Sequence, residues 1–233
     1  MSSSKLPQGI DWNEIKCVVF DVDGTLYDQT KLRRLMLFDL IGDAISKMDL
    51  QIIFILKHYR KLRESMADQE VDGFELTLIE LTAKVVGCSE DQVRAAVELW
   101  ILKRPIRYIS KCMHSGLPEL FNNLRKSGKL IGVLSDYPAD EKLLAMGLAA
   151  DFIVCASDPK IAILKPHPRG LIELLQIAKI NPNQTVLIGD RPERDGLVAE
   201  RVGVRSLIFS RKKICEWQTI SSYYDSIFDP LQK

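Results

Sequence analysis

Two aspartates stand two residues apart in the segment DVDGTLYD at 21–28, directly after the apolar run CVVF. If CVVFD is a strand that stops at Asp21, alternation points Asp21 and Asp23 to one side and turns Val22 away. Carboxylates that close repel unless a cation lies between them. Hard oxygen ligands of this kind suit Mg²⁺, which binds through one or two carboxylates plus phosphate. Gly24 permits a tight turn and a close approach of backbone to ligand. Three more features could share this chemistry. Ser135 in GVLSDYP offers a hydroxyl, and the next backbone N–H, that of Asp136, could hold an anionic oxygen. Lys165 in ILKPHP is a fixed positive charge just before a helix. GDRPERD at 189–195 places Asp190 directly after the run TVLIG and Asp195 at a helix start. Taken singly, these residues read as a turn, a cap, a solvated lysine and an N-cap. Together, in order and at strand ends, they supply acids, a hydroxyl and a cation in complementary roles.

The elements that must position them follow from periodicity. CVVFD at 17–21 is a buried strand closed by a turn at Asp23-Gly24. Residues 31–103 contain no Pro, and their apolar residues recur at helical spacing: Leu32, Leu35, Met36 and Leu40; then Ile52, Ile53, Leu56, Tyr59 and Leu62; then Phe74, Leu78, Leu81 and Val85; then Val93, Val97, Trp100 and Ile101. That predicts four helices, with breaks near Gly73 and Gly87 and a capping box at Ser89 and Gln92. Pro105 closes the block. Strand and helix alternate afterwards: a helix over 117–127, a strand over 130–135, a helix over 138–147, a strand over 152–156, a helix over 168–179, a strand over 185–188, a helix over 195–202 and a strand over 204–209. This alternation predicts an α/β fold, a doubly wound parallel sheet covered on both faces. The core is expected over 1–30 and 106–233, with an all-helical insert over 31–105. An insert there lies over the strand ends where open α/β sheets bind ligands. The tail from 211, with Trp217, Tyr223, Tyr224 and Phe228, is expected as a helix or a strap.

These residues resemble the four motifs of the haloacid dehalogenase-like (HAD) hydrolase superfamily. Asp21-Val22-Asp23-Gly24-Thr25-Leu26 matches the first motif, Ser135 the second, Lys165 the third, and Gly189-Asp190 through Asp195 the fourth. The helical insert is similar to the cap that the phosphatase-type branch carries after its first strand. The resemblance implies a Rossmann-like core and a Mg²⁺-dependent phosphatase that works through an aspartyl phosphate. Asp21 would be the nucleophile and Asp23 the acid and base, with Lys165 completing the catalytic set. Ser135, Asp136, Lys165 and Gly24 would bind the phosphoryl group. Asp21, Asp190 and Asp23, the last through its carbonyl, would hold the metal, with Asp195 in support. An acid at position 23 argues for phosphoryl chemistry over dehalogenation. The segment Arg191-Pro192-Glu193-Arg194 is bulkier and more charged than the small residues frequent there, and Asp136 stands where Asn is common. The alternatives are a phosphomutase on the same scaffold and a noncatalytic phospho-ligand binding protein.

Composition bounds the rest. The chain has 233 residues, 46% apolar and 27% charged, so it can bury a sizeable core. Its 32 Lys and Arg against 31 Asp and Glu leave no basic field, and no nucleic-acid partner is expected. Cys17, Cys88, Cys112, Cys155 and Cys215 are an odd set without CxxC spacing. The N-terminus has no apolar leader and LQIIFIL at 50–56 is too short to span a bilayer. A cytoplasmic protein with no membrane partner and a small phosphorylated metabolite as substrate is expected. The basic run KHYRKLR at 57–63 is expected as a solvated helix face. His114 is expected at a hinge or on the surface, His167 away from substrate, and Tyr27 in the core or lining the cavity.

Overall fold

The apolar run Cys17–Phe20 forms β1, and all four of its residues are buried. The structure is a computed structural model and describes residues 10–47 and 50–232. Residues 1–9, in which no leader was read, lie outside the described residues. β1 is buried on both edges because it lies between β2 (Leu130–Ser135) and β4 (Thr185–Gly189). β3 (Phe152–Cys155) follows β2, and β5 (Arg205–Phe209) and β6 (Thr219–Ile220) follow β4, giving the order β3-β2-β1-β4-β5-β6. Every pair is parallel. Both faces are covered, which is why the central strands read as unbroken apolar runs.

The helical block between β1 and β2 comprises α1 (Gln29–Lys47), α2 (Gln51–Asp68), α3 (Phe74–Val86), α4 (Glu90–Val97) and α5 (Ile106–Cys112). A π-helical stretch, Glu98–Lys103, prolongs α4 where a plain helix was expected. Ser89 and Gln92 form the reciprocal capping box at the start of α4. α2, α3 and α4 pack on one another through Leu56, Tyr59, Phe74, Leu78, Val93 and Trp100. After the block the chain alternates: α6 (Leu117–Lys126) leads into β2, and α7 (Asp140–Met146), α8 (Arg169–Ala178) and α9 (Leu197–Val202) connect β2 to β3, β3 to β4 and β4 to β5.

One face of the sheet shows Val18, Phe20, Val133 and Ile188 to α6, which buries Leu117, Leu120, Phe121 and Leu124. That i, i+3, i+4, i+7 stripe is the pattern of a one-sided helix. Burial of each such side chain stabilises the fold by roughly 1.5–3 kcal/mol. The other face presents Val19, Leu134 and Leu187 to Leu171 and Leu174 of α8 and Val198 of α9. The helix expected over 195–202 is α9 preceded by a π-helical turn, Pro192–Gly196. The tail is a strap with a two-residue strand, β6, and a closing 3-10 helix, Ser226–Gln232. Trp12 Nε1 donates to the carbonyl of Ile227 at 2.6 Å, so the two ends of the described chain meet. No helix among the described residues is long and apolar enough to cross a membrane.

Candidate active site

Three neighbouring parallel strands end side by side, and each delivers one group. Asp21 follows β1, Ser135 ends β2, and Asp190 follows β4. The register places Phe20 beside both Val133 and Ile188. The amide of Asp21 donates to the carbonyl of Ile188 at 2.9 Å, so β1 and β4 release their acids at the same level. The fourth group comes from the loop after β3. Lys165 is buried, and its Nζ donates to Asp21 Oδ1 at 2.5 Å and to Asp195 Oδ1 at 2.6 Å. Asp21, Asp23, Lys165, Asp190 and Asp195 line one cavity, as does Asp136, whose neighbour Ser135 is not among the lining residues.

Two glycines make this crowding possible. Gly24 has φ +105°, and a Cβ there would stand 2.1 Å from Asp190 Oδ2. A Cβ on Gly189 would stand 2.2 Å from Asp195 Cβ. Only hydrogen fits at either position.

Around these acids the hydrogen bonds are divided. Thr25 Oγ1 donates to Asp21 Oδ2 at 2.8 Å. The amide of Arg191 donates to Asp195 Oδ2 at 3.0 Å, so both oxygens of Asp195 are engaged. Asp190 Oδ1 is buried and has no hydrogen-bond partner. Ser135 Oγ accepts from the amide of Tyr137 at 3.3 Å, and Asp136 Oδ1 accepts from the amide of Lys165 at 3.2 Å. Asp23 is turned from this group: its Oδ1 accepts from Lys142 Nζ at 2.6 Å and from the hydroxyl of Tyr27.

The electrostatics follow from the burial. Burial pushes Asp21 up to about 7, with Lys165 opposing and Asp195 adding to the rise. Burial likewise pushes Asp190 up to about 8, reinforced by Asp21 and Asp195. Burial alone would raise Asp23 too, but Lys142 and then the Tyr27 hydroxyl outweigh it and hold its carboxyl below the usual range. Lys165 lies well above its ordinary value, because Asp195 and Asp21 overcome the burial that opposes its charge.

Asp21, Asp190 and Asp195 each place an oxygen within 4.8 Å of the others. Two buried carboxylates and a half-buried one, with one unpartnered oxygen, make a donor set that suits a hard divalent cation. Both oxygens of Asp21 and both of Asp195 already accept hydrogen bonds, whereas Asp190 Oδ1 accepts from nothing; Asp190 is thus the freest of the three to take a cation. The Asp23 carboxylate lies outside this trio.

The insert supplies the rest of the wall. A cavity of about 660 Å³ reaches from the acids to α1 and α2. In the basic run at 57–63, Lys57, Arg60 and Lys61 are exposed, as expected of a solvated face, but Arg60 and Lys61 also line this cavity, and Arg63, which lines it too, is buried. Arg63 is buried between the rings of Phe74 and Tyr137 and donates to the carbonyl of Asp136. Arg191 pairs with Glu64 through both nitrogens, at 2.9 and 2.8 Å, and Arg194 reaches Asp68 at 2.5 Å. The bulky 191–194 loop thus bridges to α2.

Tyr27 lines the cavity and His114 does not. The His114 ring lies against Phe209 at 4.5 Å between centroids, with Nε2 3.3 Å from the carbonyl of Gly24. His167 accepts from the amide of Arg169 at 3.2 Å.

Sequence reasoning missed Lys142, Arg63 and Tyr223. The Tyr223 hydroxyl donates to the carbonyl of Thr25 at 2.7 Å and fastens the tail beneath the first turn. None of the three has a local signal, since each partner is far along the chain.

A family model described as haloacid dehalogenase-like hydrolase matches residues 15–203. The chain is 27% identical, over 206 residues and 85% of each chain, to a glyceraldehyde 3-phosphate phosphatase of Methanopyrus kandleri. Its fold resembles a 2-haloacid dehalogenase of Pseudomonas syringae, with TM-score 0.63 and 19% identity over 94% of this chain and 98% of that one. It resembles equally a β-phosphoglucomutase of Clostridium difficile, with TM-score 0.63 and 18% identity over 94% and 96%.

Proposed function

Since the chain belongs to the haloacid dehalogenase-like hydrolases, a family of enzymes, we propose that it is a Mg²⁺-dependent phosphatase of a small phosphorylated metabolite. The observation that carries this is the meeting of Asp21, Asp190, Asp195 and Lys165 in one buried pocket at the ends of β1 and β4. The phosphatase relative supports the choice of reaction.

In this mechanism an Asp21 oxygen attacks phosphorus and the ester P–O bond breaks, leaving an aspartyl phosphate. A carboxylate is a sensible nucleophile because its acyl phosphate is reactive enough to hydrolyse. Asp23 gives a proton to the leaving oxygen, then takes one from the water that attacks the intermediate. Ser135, the amide of Asp136 and Lys165 bind phosphoryl oxygens, so the transition state meets fixed donors in a dry site. Gly24 keeps the backbone close to the phosphoryl group. Magnesium held by Asp21, Asp190 and the carbonyl of Asp23 would offset phosphoryl charge, and Asp195 fixes Lys165 beside it. Residues 31–105 act as a cap over the core of 1–30 and 106–233 and exclude water.

The test is inorganic phosphate release from a panel of phosphorylated metabolites, with Mg²⁺ and with chelator. Release is expected only with the metal, and Asp21→Asn is expected to lower it at least 1,000-fold, roughly the scale of losing a nucleophile. An Asp21→Asn protein that keeps the normal rate overturns the mechanism.

A further inference from the structure

The cavity is larger than a phosphoryl pocket needs, and its far wall carries charge that nothing answers. Its volume of about 660 Å³ lies within the roughly 300–1,000 Å³ of small-molecule sites. Most of the cations around it are paired. Lys165 holds Asp21 and Asp195, Lys142 holds Asp23, Arg191 and Arg194 hold Glu64, and Arg63 is bound to the Asp136 carbonyl. Arg33 on α1 and Arg60 and Lys61 on α2 differ. All three line the cavity, all are exposed, and none has a hydrogen-bond or ion-pair partner among the described residues; of these, Arg33 and Arg60 act on each other's charge. The same cavity is also lined by the apolar Met36, Leu40, Leu56, Trp100 and Ile101.

Two like charges line one cavity, and neither pairs with an acid among the described residues. The surrounding protein pulls the Arg60 guanidinium below its ordinary value, and the charge of Arg33 adds to that pull. An anion placed between them removes the repulsion and satisfies two planar donor forks, which match carboxylate and phosphate oxygens.

We propose that Arg33 and Arg60 form a subsite for a second oxyanion. The substrate is then a phosphate ester whose far end carries a carboxylate or a second phosphate. This rests on the phosphatase reading and narrows it. The apolar lining makes room for a carbon skeleton alongside the two charges.

Matched pairs test it. Glyceraldehyde 3-phosphate and 3-phosphoglycerate differ by an aldehyde against a carboxylate, as do glucose 6-phosphate and 6-phosphogluconate. Fructose 6-phosphate and fructose 1,6-bisphosphate differ by a second phosphate. The wild-type enzyme is expected to favour the second-anion member of at least one pair about tenfold in kcat/KM. Arg33→Gln and Arg60→Gln are each expected to shrink that ratio about tenfold, the scale of a charged hydrogen bond. The first two pairs against the third show which oxyanion is read. A ratio near one in all three pairs, or one unchanged in both variants, overturns the subsite.

Calorimetric titration of the same six compounds separates the two readings. Selective binding of second-anion compounds, weakened in the variants, without phosphate release overturns the phosphatase and supports the subsite. Phosphate release without selectivity supports the phosphatase and overturns the subsite. Neither binding nor release overturns both.

Discussion

Asp23 accepts from Lys142 and Tyr27 on the same oxygen, Oδ1. Its other oxygen is left to meet a substrate or water. Lys142 is itself buried, so this ion pair is shielded from water and sets the orientation of the carboxylate as well as its charge. In the proposed mechanism Asp23 must be protonated in one half-reaction and ionised in the other. Lys142 favours the ionised form. Replacing it by methionine keeps most of the length and removes the charge, so the Asp23 pKa rises. The limb of the pH–rate profile that Asp23 governs then moves to higher pH, whichever half-reaction limits the rate. Loss of the Lys142 contact also loosens the carboxylate, so the plateau of the profile falls roughly 10- to 100-fold, part of the 10²–10⁴ that positioned proton transfer contributes. The profile of Lys142→Met is the measurement, and a limb that stays in place removes Lys142 from the mechanism.

The end of β4 shows how an element makes a site and how far it can be read. Gly189 is the last residue of that strand, and Asp195 returns across it after the π-helical turn. Gly189→Ala sets a methyl against the Asp195 side chain at a point where both backbones are held. Overpacking of this kind costs roughly 1–3 kcal/mol, and in a chain of this size that lowers Tm by about 3–10 °C. Calorimetry of Gly189→Ala checks it, and an unchanged Tm means that the turn yields more easily than its packing implies. The runs CVVF and TVLIG were legible because a strand buried on both faces needs no alternation. Asp21, Ser135, Lys165 and Asp190 were legible because each lies at the end of such a run or just before a helix. Lys142 was not, since its partner lies 119 residues away. Nor was the direction of Arg60 and Arg63: a helix of mixed charge does not reveal which face meets a cavity until its neighbours are placed. The tail was legible only as a helix or a strap, because a two-residue strand has no periodicity to read.

At the scale of the whole molecule, the acids gathered by β1 and β4 make folding and metal binding depend on pH together. Asp21 and Asp190 titrate near 7 and 8 in the fold, against an ordinary value of 3.8. Between about pH 4 and pH 8 these two carboxyls therefore hold more protons in the folded chain than in the unfolded one. Stability from these two groups falls as pH rises through that window. A divalent cation binds the ionised carboxylates and reverses the penalty, so it must displace protons at low pH and none at high pH. The metal-free protein is expected to lose Tm from pH 5 to pH 8.5, and the rise in Tm on adding Mg²⁺ is expected to grow over the same interval. Thermal melts with chelator and with Mg²⁺ measure both. Asp190→Asn separates this pair from every other titrating group: it removes one of the two raised carboxylates, and both the pH slope and the Mg²⁺ increment shrink with it. An increment that is constant with pH, or an Asp190→Asn protein that responds as the wild type does, would mean that the buried acids are not where the cation binds.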